Sequence, residues 1–170
     1  HRGTCIETSM EVYNKIMTTN FLGPVYLTKL LLNHFIKRGK GKIVTISSVQ
    51  AYIGIANRSA YASSKAAISI FMDCLRGEVK KLGISVINIF PAHVQTSFSI
   101  NALTHSGEKY QQMDSRTLKG YHPSILAAKI FNSICRKDEV VIYANWKINL
   151  AIKLRHIFPG IICYFSDRYS

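Results

Sequence analysis

A chain of 170 residues, 48% hydrophobic and 18% charged, is long enough to bury one core and too apolar to stay disordered. Its 22 Lys and Arg against 9 Asp and Glu give +13, a balance that favours anionic partners: a phosphorylated cofactor, an anionic membrane surface or nucleic acid. No zinc-finger, RNP or basic-zipper pattern accompanies the charge, so a nucleic-acid partner is not expected. No window offers about 18 uninterrupted apolar residues, so no transmembrane helix is expected either. Cys5, Cys74, Cys135 and Cys163 lie far apart and form no C-x-x-C pair. That excludes a zinc site and predicts reduced, mostly packed thiols.

The chain starts at His1, with nothing like a signal peptide, and reads as processed or as a fragment. "TSME" at 8–11 matches a capping box with Thr8 as cap and Glu11 three residues on. Helical apolar spacing follows through Val12, Ile16, Leu27, Leu30, Leu31 and Phe35, with a kink or restart expected at Gly23-Pro24. "KRGKGK" at 37–42 reads as a solvated turn. "KIVTIS" at 42–47 is a short β-branched run, predicted as a buried strand.

Helical spacing resumes from Ser59 to Leu82, with Gly83 as C-cap, and "ISVINIF" at 84–90 is a second buried strand stopped by Pro91. Residues 92–122 are polar with weak periodicity. A loop of that length is usually functional or mobile. Pro123 opens a helix over "SILAAKIFNSI", and "EVVIYA" at 139–144 is a third strand. Helices alternating with strands in this order predict an α/β fold with a parallel sheet. The tail "WKINLAIKLRHIFPGIICYF" at 146–165 mixes apolar residues with Lys147, Lys153 and Arg155. Two readings stand for it, a segment in a membrane interface and a packed C-terminal helix.

"RSAYASSKAA" puts Tyr61 four residues before Lys65, on one helix face. A phenol titrates near 10, and an adjacent ammonium favours the phenolate, which predicts a lowered pKa and an acid–base group. Ser48 follows the first strand, at the end where open parallel sheets bind ligands, and its hydroxyl can bond a carbonyl oxygen gaining charge. Strand alternation turns Ser47 to the other side. Asp73 and Glu78 are expected to be solvated, and Tyr52 and Tyr110 either line a pocket or pack.

Asn20, Ser48, Tyr61 and Lys65, with "TTNFLGPVYLTK", "GKIVTISSVQ", "SAYASSKAAISIFMDCLRGEV" and "ISVINIFPAHVQTSFS" in order, resemble the Asn-Ser-Tyr-Lys tetrad of the short-chain dehydrogenases/reductases. The resemblance implies a Rossmann-like doubly wound parallel sheet lacking its N-terminal strands. Residues 1–170 would be the C-terminal catalytic part of a single domain, with 97–122 as substrate lid and 146–170 as apolar tail. It implies hydride transfer between a nicotinamide cofactor, NADP(H) rather than NAD(H), and a small-molecule carbonyl or alcohol, expected to be apolar and lipid-like. Tyr61 would be the general acid or base, and Lys65 would lower its pKa and bind the nicotinamide ribose. Ser48 would place the substrate oxygen, and the Asn20 backbone would hold a water. Pro91, Val94 and Thr96 match the segment contacting the carboxamide and phosphates, and His93 is a variable lid residue.

The chain departs from that pattern twice. Ala92 stands where the family carries Gly, and no T-G-x-x-x-G-x-G turn or N-N-A-G segment is present. The expectation is a C-terminal fragment that folds poorly and binds cofactor weakly alone. The resemblance extends to a membrane-associated branch, which implies the endoplasmic reticulum or peroxisome, a membrane surface as partner, and homodimers through Val25–Ile36 and Ile68–Leu75. The rival reading is a truncated, non-catalytic membrane-surface or protein-binding module.

Overall fold

The structure, a computed structural model, describes residues 1–158 and residue 160. Helix α1 (Met10–Met17) begins at Ser9, whose hydroxyl accepts from the Val12 amide. The cap is therefore one residue later than expected. Thr8 instead donates to the Thr4 carbonyl at 2.5 Å and pairs with the His1 ring at 2.9 Å, so its hydroxyl is spent locally.

The helix does not break at Gly23-Pro24. It widens into one π-turn, Thr18–Leu22, and continues as α2 (Gly23–Arg38). Pro24 is tolerated because it sits in the first turn of α2, where no helical partner for its missing N–H is needed. The π-turn absorbs the register change and carries Asn20.

Strands β1 (Gly41–Ile46), β2 (Ile84–Pro91) and β3 (Val140–Tyr143) form a parallel sheet in the order β1-β2-β3. Gly41 pairs with Ile84 and Asn88 with Val140, so β3 starts midway along β2. Central β2 is buried almost throughout, which is why "ISVINIF" reads as continuously apolar. Helix α3 (Ser59–Val79) packs Ile68, Met72, Leu75 and Val79 onto Ile84 and Val86 of β2, with Ile43 of β1 and Val25 and Phe35 of α2 closing that layer. A 3-10 turn, Lys80–Leu82, ends the segment expected as one helix to Leu82.

Beyond β2, the long loop holds a four-residue helix α4 (Ser115–Leu118), then α5 (Pro123–Arg136) leads to β3 and α6 (Trp146–Ile157) follows it. Lys42 points away from the α3 layer and donates to the Ile134 carbonyl of α5 at 3.0 Å, which places α5 on the opposite face of the sheet.

Asp73 is solvated as expected, its side chain 45% exposed, and its Oδ1 also accepts from the fully buried Asn88 amide at 3.0 Å and pairs with Arg76 at 2.7 Å. Cys5, Cys74 and Cys135 are exposed rather than packed, because each falls on a solvent-facing position of its loop or helix; Cys163 lies outside the described residues.

Gly83, the residue between the 3-10 turn and β2, has no room for a side chain. It stands at φ 75, and a Cβ there would overlap the Gly39 carbonyl oxygen. Gly83→Ala is expected to destabilise the fold by about 2 kcal/mol or more, read as a lower urea midpoint with unchanged slope.

Candidate functional site

The site is built at the carboxyl ends of β1 and β2, where the strands stop and the backbone turns outward. Ser47 and Ser48 follow β1 and point apart. Ser47 Oγ donates toward α3, within 3.0 Å of the Lys65 carbonyl and 2.8 Å of Ser69 Oγ. Ser48 opens the 3-10 turn Val49–Ala51, accepts from the Gln50 amide at 3.2 Å, and lies beside the Tyr61 phenol, whose pKa its hydroxyl lowers.

Tyr61 and Lys65 sit in the first two turns of α3, a helix that begins with small residues and buries Ala60 and Ser64 completely. Lys65 Nζ lies 5.9 Å from the Tyr61 ring centre and donates to the Ile46 carbonyl at 2.8 Å. Asn20 Nδ2 donates to Ser64 Oγ at 3.0 Å, and Ser64 donates to the Tyr61 carbonyl at 2.8 Å. The π-turn is thereby tied to the helix that carries Tyr61. Phe98 covers the phenol, with ring centres 5.4 Å apart.

Beyond β2, Pro91, Ala92, His93, Val94 and Thr96 line the same cavity of about 450 Å³ as Asn20, Ser48, Tyr61 and Lys65. All seven residues singled out in the sequence therefore converge. Ala92 is accommodated: its N–H donates to the Tyr143 carbonyl at 2.9 Å, and it takes none of the positive-φ backbone that demands glycine. Tyr52 and Tyr110 are not part of the lining. Tyr52 stacks on Phe90 at 4.6 Å, and Tyr110 lies under the Arg2 guanidinium at 5.6 Å.

Electrostatics at Tyr61 run opposite to the expectation. Burial raises the phenol pKa, while the Ser48 hydroxyl and the Arg58 and Arg2 charges lower it less. Lys65 is turned to the Ile46 carbonyl and has its own pKa lowered by burial, so it does not offset the desolvation of the phenol. Burial also lowers the His93 imidazole, Asp114 opposes that, and Arg58, Arg116 and Arg2 add to it.

The short chain dehydrogenase family matches the chain over residues 1–106. The chain belongs to this family. Dehydrogenase/reductase SDR family member 7B of Danio rerio is 43% identical over 161 residues, covering 95% of this chain and 52% of that protein. The Bos taurus protein of the same name is 42% identical, and a Drosophila melanogaster SDR family protein 7-like is 41% identical. The chain spans about half the length of these relatives.

Solved short-chain dehydrogenases share the fold. One from Burkholderia phymatum, in complex with NAD, superposes with a TM-score of 0.77 at 16% identity over 94% of this chain and 63% of its own. One from Sphingobium yanoikuyae, in complex with NADPH, gives 0.76 at 21% identity over 96% and 60%. The Rossmann-like doubly wound sheet is thus shown, with three of its strands among the described residues.

Next to the site lie residues that local sequence patterns do not link. Arg2 and Arg58 both reach Asp114 Oδ2, at 3.1 and 2.9 Å. The three come from the chain start, the N-cap of α3 and the long loop, separated by 56 and 112 positions, and no local pattern links them. Asp114 Oδ1 accepts from the Arg116 amide at 2.9 Å. Burial alone would raise the Asp114 carboxyl; the Arg58 hydrogen bond, the Arg116 amide and both guanidinium charges hold it at about 2. Ser99 pairs with Thr117 at 2.9 Å and Val94 bridges to Tyr121, so residues 97–122 are fastened at several points.

Proposed function

We propose that this protein is a nicotinamide-dependent oxidoreductase that interconverts a carbonyl and an alcohol. One observation carries the reading: Tyr61, one helical turn from Lys65, lines with it and Ser48 a single cavity with mostly apolar walls. The donor set fits the nicotinamide end of the cofactor. Lys65 and Tyr61 would hold the ribose hydroxyls, and Pro91, Val94 and Thr96 would flank the ring and phosphates. The bound cofactor supplies or accepts a hydride. The +13 charge supports NADP(H), although NAD- and NADPH-bound neighbours both share the fold.

The chain's own residues handle the proton. Ser48 donates to the substrate oxygen and fixes it beside Tyr61. Tyr61 gives its proton to that oxygen in reduction and takes it back in oxidation. Burial keeps the phenol protonated near neutrality, which suits an acid in the reductive direction. Lys65 would stabilise the phenolate left behind after swinging from the Ile46 carbonyl, and Asn20 holds the first turns of α3 through Ser64.

Ile53, Ile55, Val94, Phe98 and Ile148 on the walls support an apolar substrate, with residues 97–122 as its lid within one catalytic domain. Exposed Tyr26, Leu27, Leu30 and Leu31 on α2 and Ile70 on α3 support pairing with a second copy.

The test is oxidation of NADPH by the purified protein against a panel of ketones. Carbonyl-dependent loss of the reduced nicotinamide absorbance supports the reading. A folded protein inert across the panel in both directions, with NADH as well, overturns it. Ser48→Ala supplies a pH readout. Removing the hydroxyl that lowers the Tyr61 pKa moves the rising limb of alcohol oxidation to higher pH, alongside a loss in kcat of about 10²-fold.

A further inference from the structure

Eight basic residues not used by the site gather at the opposite pole. Lys37 and Arg38 end α2, Lys40 and Lys42 flank the start of β1, Lys80 and Lys81 precede β2, and Arg136 and Lys137 end α5. All eight are exposed. The topology forces the first six together, because Gly41 pairs with Ile84 and the Gly41 amide donates to the Gly83 carbonyl. The Lys42 side chain reaches the Ile134 carbonyl and joins the end of α5 to the group.

Three carboxylates lie nearby: Asp138 pairs with Arg136 at 2.9 Å, Glu139 pairs with Lys80 at 3.0 Å, and Glu78 is exposed on the last turn of α3. Lys37, Arg38, Lys40, Lys42, Lys81 and Lys137 form no ion pair with the described residues. Cations at helix C-termini offset the helix dipole, which accounts for Lys37, Arg38 and Arg136. It does not account for Lys40 or Lys42, which lie past the end of α2.

We propose that this pole is a docking surface for an anionic lipid bilayer. Charge complementarity supplies the attraction. Ile36 and Leu82, each 43% exposed, stand among the cations and can enter the boundary between headgroups and acyl chains. Nucleic acid fits less well, since no aromatic side chain lies in 36–42, 80–83 or 136–137 to stack on a base. Docked this way, the carboxyl ends of the strands and the cavity face away from the lipid, so the two poles act independently. No helix among the described residues is long and apolar enough to cross a membrane.

The experiment is co-sedimentation of the purified protein with vesicles of phosphatidylcholine alone and with about 30% phosphatidylserine. Binding to the anionic vesicles, weakened as salt shortens the Debye length and absent with neutral ones, is the expected result. The triple variant Lys37→Gln, Lys40→Gln, Lys81→Gln should lower the partition coefficient about 100-fold, at about fivefold per cation. Lys15→Gln, Lys109→Gln, Lys119→Gln removes the same charge elsewhere and should cost less than about fivefold. Equal losses in the two triple variants overturn the proposal, as does equal binding to neutral vesicles or none to anionic ones. Tighter binding to a duplex oligonucleotide than to anionic vesicles at equal salt overturns it in favour of nucleic acid.

Discussion

Tyr61→Phe is expected to reduce carbonyl-dependent NADPH oxidation by about 10²–10⁴-fold while leaving the fold unchanged and weakening NADPH binding by no more than about tenfold, the loss of one ribose hydrogen bond. The hydroxyl is the only part of the side chain removed. The ring remains packed against Phe98 at 5.4 Å, and the α3 turn remains tied through Ser64. The loss would therefore fall on kcat, because the proton donor to the substrate oxygen is absent while the cavity walls are intact. Quenching of protein fluorescence by NADPH separates binding from turnover. Residual activity within about tenfold of the parent would remove Tyr61 from the acid–base role. The Ser48 hydroxyl or a water would then be the candidate donor.

Asp114→Ala is expected to cost about 3 kcal/mol of stability. Arg2 and Arg58 have side chains only 11% and 13% exposed, and a single carboxylate oxygen serves both. Without it, two guanidiniums face one another close to Tyr61 with no counter-charge. Thermal melting should fall by about 10 °C for a domain of this size. Arg2→Met with Arg58→Met in the same background should recover part of the loss, since two apolar side chains tolerate that site better than two unpaired charges.

Acid titration gives an independent check. The Asp114 carboxyl titrates at about 2 in the fold against an ordinary value of 3.8. Its contribution is complete above about pH 4 and is lost as pH falls toward about 2, so Asp114→Asn should flatten acid unfolding in that window. The catalytic profile should move too. Both arginines lower the Tyr61 pKa, and freeing them from Asp114 should shift the rising limb of alcohol oxidation to lower pH, opposite to Ser48→Ala. A variant that melts and titrates like the parent would show that Asp114 does not hold the loop.

Most of the architecture could be read in advance because its signals are local. Apolar runs with β-branched residues gave all three strands to within a residue or two; β2 is buried on both faces, while β1, expected to be buried, is only half-buried and exposes Lys42 and Ile46, and β3 exposes Val140. Gly83 could be recognised as a stop because only the left-handed region turns the chain there, and its φ is 75. Tyr61 and Lys65 share a face by helix geometry alone, and Ser47 and Ser48 separate by strand alternation alone. Less local choices went astray. Ser9 rather than Thr8 caps α1 because His1 and the Thr4 carbonyl claim the Thr8 hydroxyl. The Gly23-Pro24 pair reads as a kink or restart, and α-helix does resume at Gly23, but the irregularity itself is a π-turn just upstream.

The amino-acid sequence by itself determined the element order and the parallel α/β class, and residue types close together in the chain put Ser48 at a strand end and Tyr61 with Lys65 on one helix face. Asn20, Pro91, Val94 and Thr96 were reached only through the resemblance to the family. Tertiary structure alone decided the protonation balance at Tyr61. Pairing it with Lys65 in sequence predicts a lowered pKa, but burial raises it and the ammonium is drawn to the Ile46 carbonyl instead. The fold also decided that Asp114 would clamp Arg2 and Arg58, and that eight cations from three segments would share one pole. Electrostatic effects depend on distance and desolvation between groups tens of residues apart, and those quantities exist only once the chain has closed on itself.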